Sequence, residues 1–236
     1  MKKIITQTDD GSRTIFVPEI DEHYHSTKGA YAESQHIFIN MGLNVVHKSP
    51  IKILEVGFGT GLNALLTLIE AEKSKRSIEY TGIELYPLAF EAVQQLDYQH
   101  LPLITCSNSN EADSERQIEK WIEGLHQSCW ETPIVLTPSF SLQKIKADLN
   151  QWLNHETSEI FDLIYFDAFS PEKQPDLWTP ELFNALYHRL NVKGVMTTYC
   201  AKGVVRRMLE GAGFTVERLP GPPNGKREIL RATRNH

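Results

Sequence analysis

The chain has 236 residues, 41% hydrophobic and 23% charged, ordinary values that exclude a disordered or collagen-like polymer and allow a full core in one α/β domain or two small ones. Its formal net charge of −6 argues against a general nucleic-acid binder. Three scattered cysteines (Cys106, Cys129, Cys200) give neither a disulfide framework nor a CxxC pair, so a reducing, cytoplasmic setting is expected.

After Met1-Lys2-Lys3, the polar stretch Thr6-Gln7-Thr8-Asp9-Asp10 stands where a signal peptide needs apolar residues. No run approaches the roughly 20 apolar residues that cross a bilayer, so no membrane partner is expected. Residues 1–48 read as an N-terminal extension packed on the core. It holds a strand at Thr14–Val17 and a helix from Ala30 to Met41, on the spacing of Tyr31, Ser34, Phe38 and Met41. Residues 49–236 read as one Rossmann-like domain. Ile51–Val56 is a buried strand that stops at Gly57, and Leu62, Leu65, Leu66 and Ile69 keep helical spacing after it. Ile78–Leu85 is the next strand and Pro87–Gln95 its helix, with proline in the first turn. Ile118, Trp121, Ile122 and Leu125 mark another helix. Strands at Pro133–Leu136 and Phe140–Ile145, a helix around Asp148–Leu153, and the strand Phe161–Phe166 follow.

Thr179-Pro180-Glu181 supplies a cap, a first-turn proline and a first-turn acid for a helix that packs Leu182, Phe183, Leu186 and Leu190. Val195–Tyr199 is a strand. The next helix turns Val204, Val205, Met208, Leu209 and Ala212 inward and Arg206 and Arg207 outward. Phe214–Leu219 and Glu228–Arg231 close the pattern across a Pro/Gly loop. The alternation predicts an α/β fold, a doubly wound sheet that is mostly parallel with an antiparallel end strand. From Lys193 onward, nine basic residues face three acids, so a cationic end with a surplus of six sits on a body carrying minus twelve. That end either meets an anionic partner or is a solvated helix face.

Gly57-Phe58-Gly59-Thr60-Gly61 lies between a strand and a helix, where glycines let backbone and ligand approach a helix N-terminus. The GxGxG spacing departs from the dinucleotide fingerprint GxGxxG, and no GK[ST] of a P-loop is present. Glu84 follows the second strand, where a carboxylate accepts from vicinal ribose hydroxyls; otherwise it is a strand-end surface acid. Asp148, after the third, either accepts from an adenine amino group or caps a helix. Glycine loop and two acids at successive strand ends describe an adenosine-bearing cofactor without pyrophosphate, best matched by S-adenosylmethionine. Asp167 ends the fourth parallel strand beside this crevice. There its carboxylate can take a proton from an alkylammonium or orient its N–H groups toward a sulfonium methyl; alternatively it braces the loop after it. Phe169 and Trp178 are candidates to stack on a nucleobase, or are packing residues. His23 and His25 lack the partners of a metal site, and no metal is expected.

The motif Gly57-Phe58-Gly59-Thr60-Gly61-Leu62-Asn63, the run Asp167-Ala168-Phe169-Ser170-Pro171 with Leu177-Trp178-Thr179, and Gly225-Lys226-Arg227-Glu228 together resemble the methyltransferase domain of the MnmC family. Tyr24-His25-Ser26, Ala32-Glu33-Ser34 and Ile37-Phe38 extend the likeness over nearly the whole chain. The resemblance implies a class I S-adenosylmethionine-dependent methyltransferase fold. It also implies methylation of the exocyclic amine of wobble 5-aminomethyl(-2-thio)uridine in tRNA, engaged through its anticodon stem-loop. By motif match Gly57, Gly59, Gly61 and Asn63 line the methionine part of the cofactor, with Glu55 and Phe58 counted in the same set. Glu84 binds ribose, Asp148 adenine, and Asp167 the acceptor amine. Phe169, Trp178, Arg206, Arg207, Lys226 and Arg227 are the substrate-binding candidates, the last four toward tRNA phosphates. The bifunctional form of the family carries an FAD-dependent oxidase domain for which this chain is too short. The stand-alone form is therefore expected, without FAD and with a separate enzyme supplying the amine. Two other readings stay open: a methyl or aminopropyl transferase acting on a small amine, and a non-catalytic module that binds cofactor or tRNA.

Overall fold

The computed structural model describes residues 2–101, 111–154 and 159–236, so Cys106 lies outside the described residues. Strands β1 (Ile4–Gln7), β2 (Arg13–Val17) and β3 (Glu22–His23) form a small antiparallel sheet. The main sheet has eight strands: β4 (Ile51–Val56), β5 (Ile78–Ile83), β6 (Ile134–Thr137), β7 (Phe140–Ile145), β8 (Phe161–Phe166), β9 (Leu190–Thr198), β10 (Thr215–Pro220) and β11 (Glu228–Thr233), in spatial order β10-β11-β9-β8-β4-β5-β7-β6. The five central strands β9, β8, β4, β5 and β7 run parallel, as expected from the alternating pattern. The hairpin β10–β11 supplies the expected antiparallel end. A second antiparallel pairing, β6 on β7, closes the other edge.

Helices α2 (Leu62–Ser74) and α4 (Glu111–Gln127) cover one face, and α5 (Leu149–Asn154), α6 (Pro180–His188) and α7 (Gly203–Gly211) the other. Alternation along the strands feeds two cores. Ile51 and Ile53 of β4 join one with Leu65, Ile118 and Leu125, while Leu54 and Val56 join the other with Leu182, Phe183 and Val205. Ile15 and Val17 of β2 and Phe38 pack into the first core, so the N-terminal segment shares its apolar burial. Thr179 caps α6 through its side chain, which accepts from the Leu182 amide at 3.2 Å.

The local departures have physical causes. The helix expected from Ala30 to Met41 is α1 (Ala30–Ser34) running on into a π-helical turn over Gln35–Asn40. There Ile37, Phe38 and Ile39 are all buried, a three-residue stripe that ordinary helical spacing cannot aim at one core. The helix after β5 starts late, as α3 (Phe90–Gln94), and leaves Pro87 in the preceding loop. In α7 only Val205 and Leu209 are buried. Val204 is 44% exposed and turned away from the sheet, because a nine-residue helix near the edge presents a narrow apolar stripe.

Register sets the site. Val56 lies beside both Ile83 and Phe166, Ile83 beside Ile145, and Phe166 beside Thr198. Five parallel strands therefore finish level, and the residues that follow them converge where the sequence order turns back, between β4 and β8.

Candidate functional site

At these strand ends lies a cavity of about 1470 Å³. It exceeds the roughly 300–1,000 Å³ of a single small-ligand pocket, enough for two reactants. The glycine loop forms its floor. Gly57 and Gly59 hold left-handed φ values of 86° and 47°. A Cβ on Gly57 would stand 2.7 Å from the Asp167 carbonyl oxygen, and one on Gly59 3.1 Å from the Tyr24 ring, so the bare backbone is needed on both sides of the loop. Gly61, also left-handed at 72°, does not line the cavity; it faces the His126 ring, which a Cβ would meet at 2.6 Å. It is the N-cap residue of α2, and its bare backbone leaves room for His126.

His126 donates from Nε2 to the Thr60 carbonyl (3.0 Å), and the Tyr98 hydroxyl donates to Thr60 Oγ1 (2.9 Å). These contacts fix the crest of the loop. Phe58, buried beneath it, packs against His126 and Trp130 and lines the cavity. Glu84 stands at the end of β5 with both carboxylate oxygens aligned by backbone: Gly59 N–H donates to Oε2 and Tyr86 N–H to Oε1, each at 2.9 Å. Each oxygen keeps capacity for a hydroxyl donor from the cavity. Asp148 lines the cavity and also caps α5, accepting from Gln151 N–H at 3.0 Å, so the helix cap leaves it facing the space where a cofactor would lie.

Asp167 lies at the centre. Asn63 Nδ2 donates to Asp167 Oδ2 (2.8 Å) and to Glu55 Oε1 (2.9 Å), one amide bridging two carboxyls. Burial pushes Asp167 up to about 7; the charge of Glu33 adds to this, and the Asn63 hydrogen bond and Lys226 oppose it. The group is partly open to the cavity while enclosed by protein. Glu55 is fully buried and does not line the cavity, and burial holds its carboxyl well above the usual range. It is set on β4 below the strand end and meets the site through the Asn63 amide.

The aromatic candidates separate. Phe169 lines the cavity edge-on to Tyr24, at 5.1 Å between centroids. Trp178 is 4% exposed, donates from Nε1 to the Phe169 carbonyl at 2.8 Å, and packs on Phe166, Phe183 and Tyr199. Its faces are taken by the core, so it stiffens the loop rather than stacking on a base.

The cationic candidates separate as well. Lys226 reaches inward from the β10–β11 loop, pairs with buried Glu33 of α1, and sits with its ammonium 4.3 Å above the Tyr199 ring. Arg227 is exposed on the cavity rim. Arg206 pairs with Glu210 along α7, and both it and Arg207 lie outside the cavity wall.

Four residues without a role assigned from sequence complete the wall: Tyr24, His25, Glu33 and Tyr199. Burial pushes His25 down to about 4, leaving it neutral, with Nε2 3.5 Å from Thr60 Oγ1. Tyr199 donates its hydroxyl to the Ala168 carbonyl at 2.9 Å. For Tyr24, His25 and Glu33 the sequence signal was membership in the short N-terminal motifs, which name residues without saying what they face. The paired glycine conformations, the backbone-aligned acid at Glu84 and the breadth of the cavity fit an adenosine-bearing sulfonium cofactor.

A family model described as S-adenosyl-L-methionine-dependent methyltransferase matches residues 116–235. The chain is 30% identical over 235 residues to the tRNA 5-methylaminomethyl-2-thiouridine biosynthesis bifunctional protein MnmC of Pseudoalteromonas translucida (strain TAC 125), a match covering 92% of this chain. It spans 34% of the length of that relative, about a third. Among solved structures, MNMC2 from Aquifex aeolicus superposes with a TM-score of 0.75 at 26% identity, covering 98% of this chain and 70% of that one. Spermidine synthase from Thermotoga maritima shares the fold, with a TM-score of 0.56 at 15% identity over 98% of this chain and 72% of that one.

Proposed function

Because the chain belongs to the S-adenosyl-L-methionine-dependent methyltransferases, we propose that its acceptor is the primary amine of 5-aminomethyl(-2-thio)uridine at the wobble position of tRNA. The observation that carries this reading is Asp167, a carboxyl lifted to about 7 beside a glycine loop at the meeting point of β4 and β8. The names of the two similar proteins, one in tRNA 5-methylaminomethyl-2-thiouridine biosynthesis, agree with it. In this reading the protein works after a separate enzyme has made the amine, and it acts in the cytoplasm.

The bound cofactor supplies an electrophilic methyl on a sulfonium. Gly57 and Gly59 admit its chain close to the backbone, Glu84 accepts from its ribose hydroxyls, and Asp148 stands at the adenine end. An ammonium has no lone pair to attack with, so the acceptor must first lose a proton. Asp167 takes that proton, and its raised value narrows the gap to the amine. Asn63 holds Asp167 Oδ2, leaving Oδ1 for the amine N–H. With the cofactor bound, its sulfonium would supply the methyl to the neutral amine held at Asp167, with S-adenosylhomocysteine as the leaving group.

The acids Glu22, Glu33 and Asp167 on one wall also suit a small polyamine, which keeps methyl or aminopropyl transfer to a free amine as the second reading. The test is methyl transfer from labelled cofactor to tRNA carrying the unmethylated aminomethyl group, with nucleoside analysis. Label in methylaminomethyluridine at the wobble position is the expected result. Unlabelled tRNA together with labelled putrescine would replace this reading with the second.

A further inference from the structure

Beside Asp167 the cavity wall is built as a cation site. Glu33 is 7% exposed, and its Oε2 accepts from the Ser26 amide at 3.0 Å, which fixes the carboxylate. Its other oxygen meets the Lys226 ammonium. The Tyr199 ring faces that ammonium at 4.3 Å and is itself held by the bond from its hydroxyl to the Ala168 carbonyl, one residue from Asp167. A carboxylate and an aromatic face make a suitable seat for a primary ammonium. Next to them His25 Nδ1 is buried without a hydrogen-bond partner among the described residues. Lys226 itself arrives on a side chain 38% exposed, from a loop of Pro222, Pro223, Asn224 and Gly225 outside any strand.

We propose that Glu33 and the face of Tyr199 recognise the ammonium of the acceptor, and that Lys226 occupies this seat as an internal surrogate which the acceptor displaces. The inference rests on the reading of the acceptor as a primary amine. A carboxylate this buried keeps its charge at less cost beside a counter-ion, and Lys226 supplies one between turnovers. The flexible four-carbon stem of lysine lets it withdraw without moving the backbone. The incoming ammonium replaces one pair by an equivalent one, docks beside Asp167, and is deprotonated there. Lys226 then serves as a gatekeeper of the seat, distinct from a phosphate contact.

The experiment compares KM and kcat for Lys226→Met, Lys226→Arg and Glu33→Gln with two acceptors: aminomethyl-bearing tRNA and the free nucleoside 5-aminomethyluridine, which has no phosphate. Displacing a competitor that fills the seat about nine-tenths of the time lowers KM by about tenfold when the competitor is removed. Lys226→Met is expected to do this for both acceptors. Lys226→Arg, whose planar fork holds a carboxylate more firmly, raises KM, and so does Glu33→Gln. A rise in KM of Lys226→Met for tRNA alone would make Lys226 a phosphate contact and overturn the proposal; a loss confined to kcat would also overturn it. Should Lys226→Met lose cofactor binding by calorimetry, and thus its fold, Lys226→Arg decides: an unchanged KM overturns the proposal. No transfer from wild-type protein to either acceptor overturns the amine reading itself. Transfer with unchanged KM in all three variants overturns only the surrogate.

Discussion

Asp167 carries opposed demands. Its value rises from 3.8 to about 7 on folding, mainly through burial. Between those values the folded chain holds a proton that the unfolded chain has released. The stability linked to this group is therefore full below about 3.8 and is lost as pH rises through about 7. Catalysis has the reverse sign, since only the carboxylate takes a proton. Asp167→Asn is expected to melt above the wild type at pH 8, by a scanning calorimetry comparison, while methyl transfer falls by about 10²- to 10⁴-fold. The wild-type kcat/KM is expected to fall as pH is lowered through about 7, and the residual rate of Asp167→Asn to lack that limb. Cofactor affinity in the variant, read by calorimetry, stays close to wild type, because Glu84 and the glycine loop are untouched.

Asp162, at the start of β8, ties neighbouring elements together. It accepts from Lys52 N–H of β4 at 3.0 Å, from Asn191 Nδ2 of β9 at 2.7 Å and from Lys48 Nζ at 2.8 Å, and is 4% exposed. Asp162→Ala strands a backbone donor and an amide, and is expected to cost about 1–3 kcal/mol per buried group left unpaired, read by urea unfolding. In the glycine loop, Gly59→Val adds atoms against Tyr24 at a left-handed φ and is expected to remove calorimetric cofactor binding. These elements were legible because their signals are local: an apolar run halted by Gly57, the cap at Thr179, an acid at each strand end. Trp178 and Phe169 look alike in sequence, and only the packing of Phe183 and Tyr199 around Trp178 separates core from cavity. Glu33 and Lys226 are 193 positions apart, and no periodicity links them.

Across the whole molecule, the cationic surplus of the C-terminal part divides into cations already engaged and cations facing out. Lys226 is paired inside the cavity and Arg206 along its own helix, and Lys202 at the rim pairs with Glu172. Arg227 lines the cavity mouth, exposed and without an ion-pair partner among the described residues, and Lys146, from the acidic body of the chain, does the same. Replacing both with alanine is expected to flatten the log–log salt dependence of tRNA binding by roughly 0.7–0.9 for each phosphate no longer neutralised, measured by filter binding. An equal change from Arg206→Ala with Arg207→Ala would extend the footprint onto α7. The pairing of Glu33 with Lys226 has a further consequence for how the catalyst comes into being. On the ribosome the glycine loop, Glu84 and Asp167 emerge well before Lys226, and β9 is laid down before the strand β11 that will lie against it. A nascent chain can thus fold its donor side early, yet its acceptor seat has no counter-ion and no outer wall until the hairpin emerges. Glu33 therefore gains its counter-ion from a residue made 193 positions later, once the hairpin that carries Lys226 has folded.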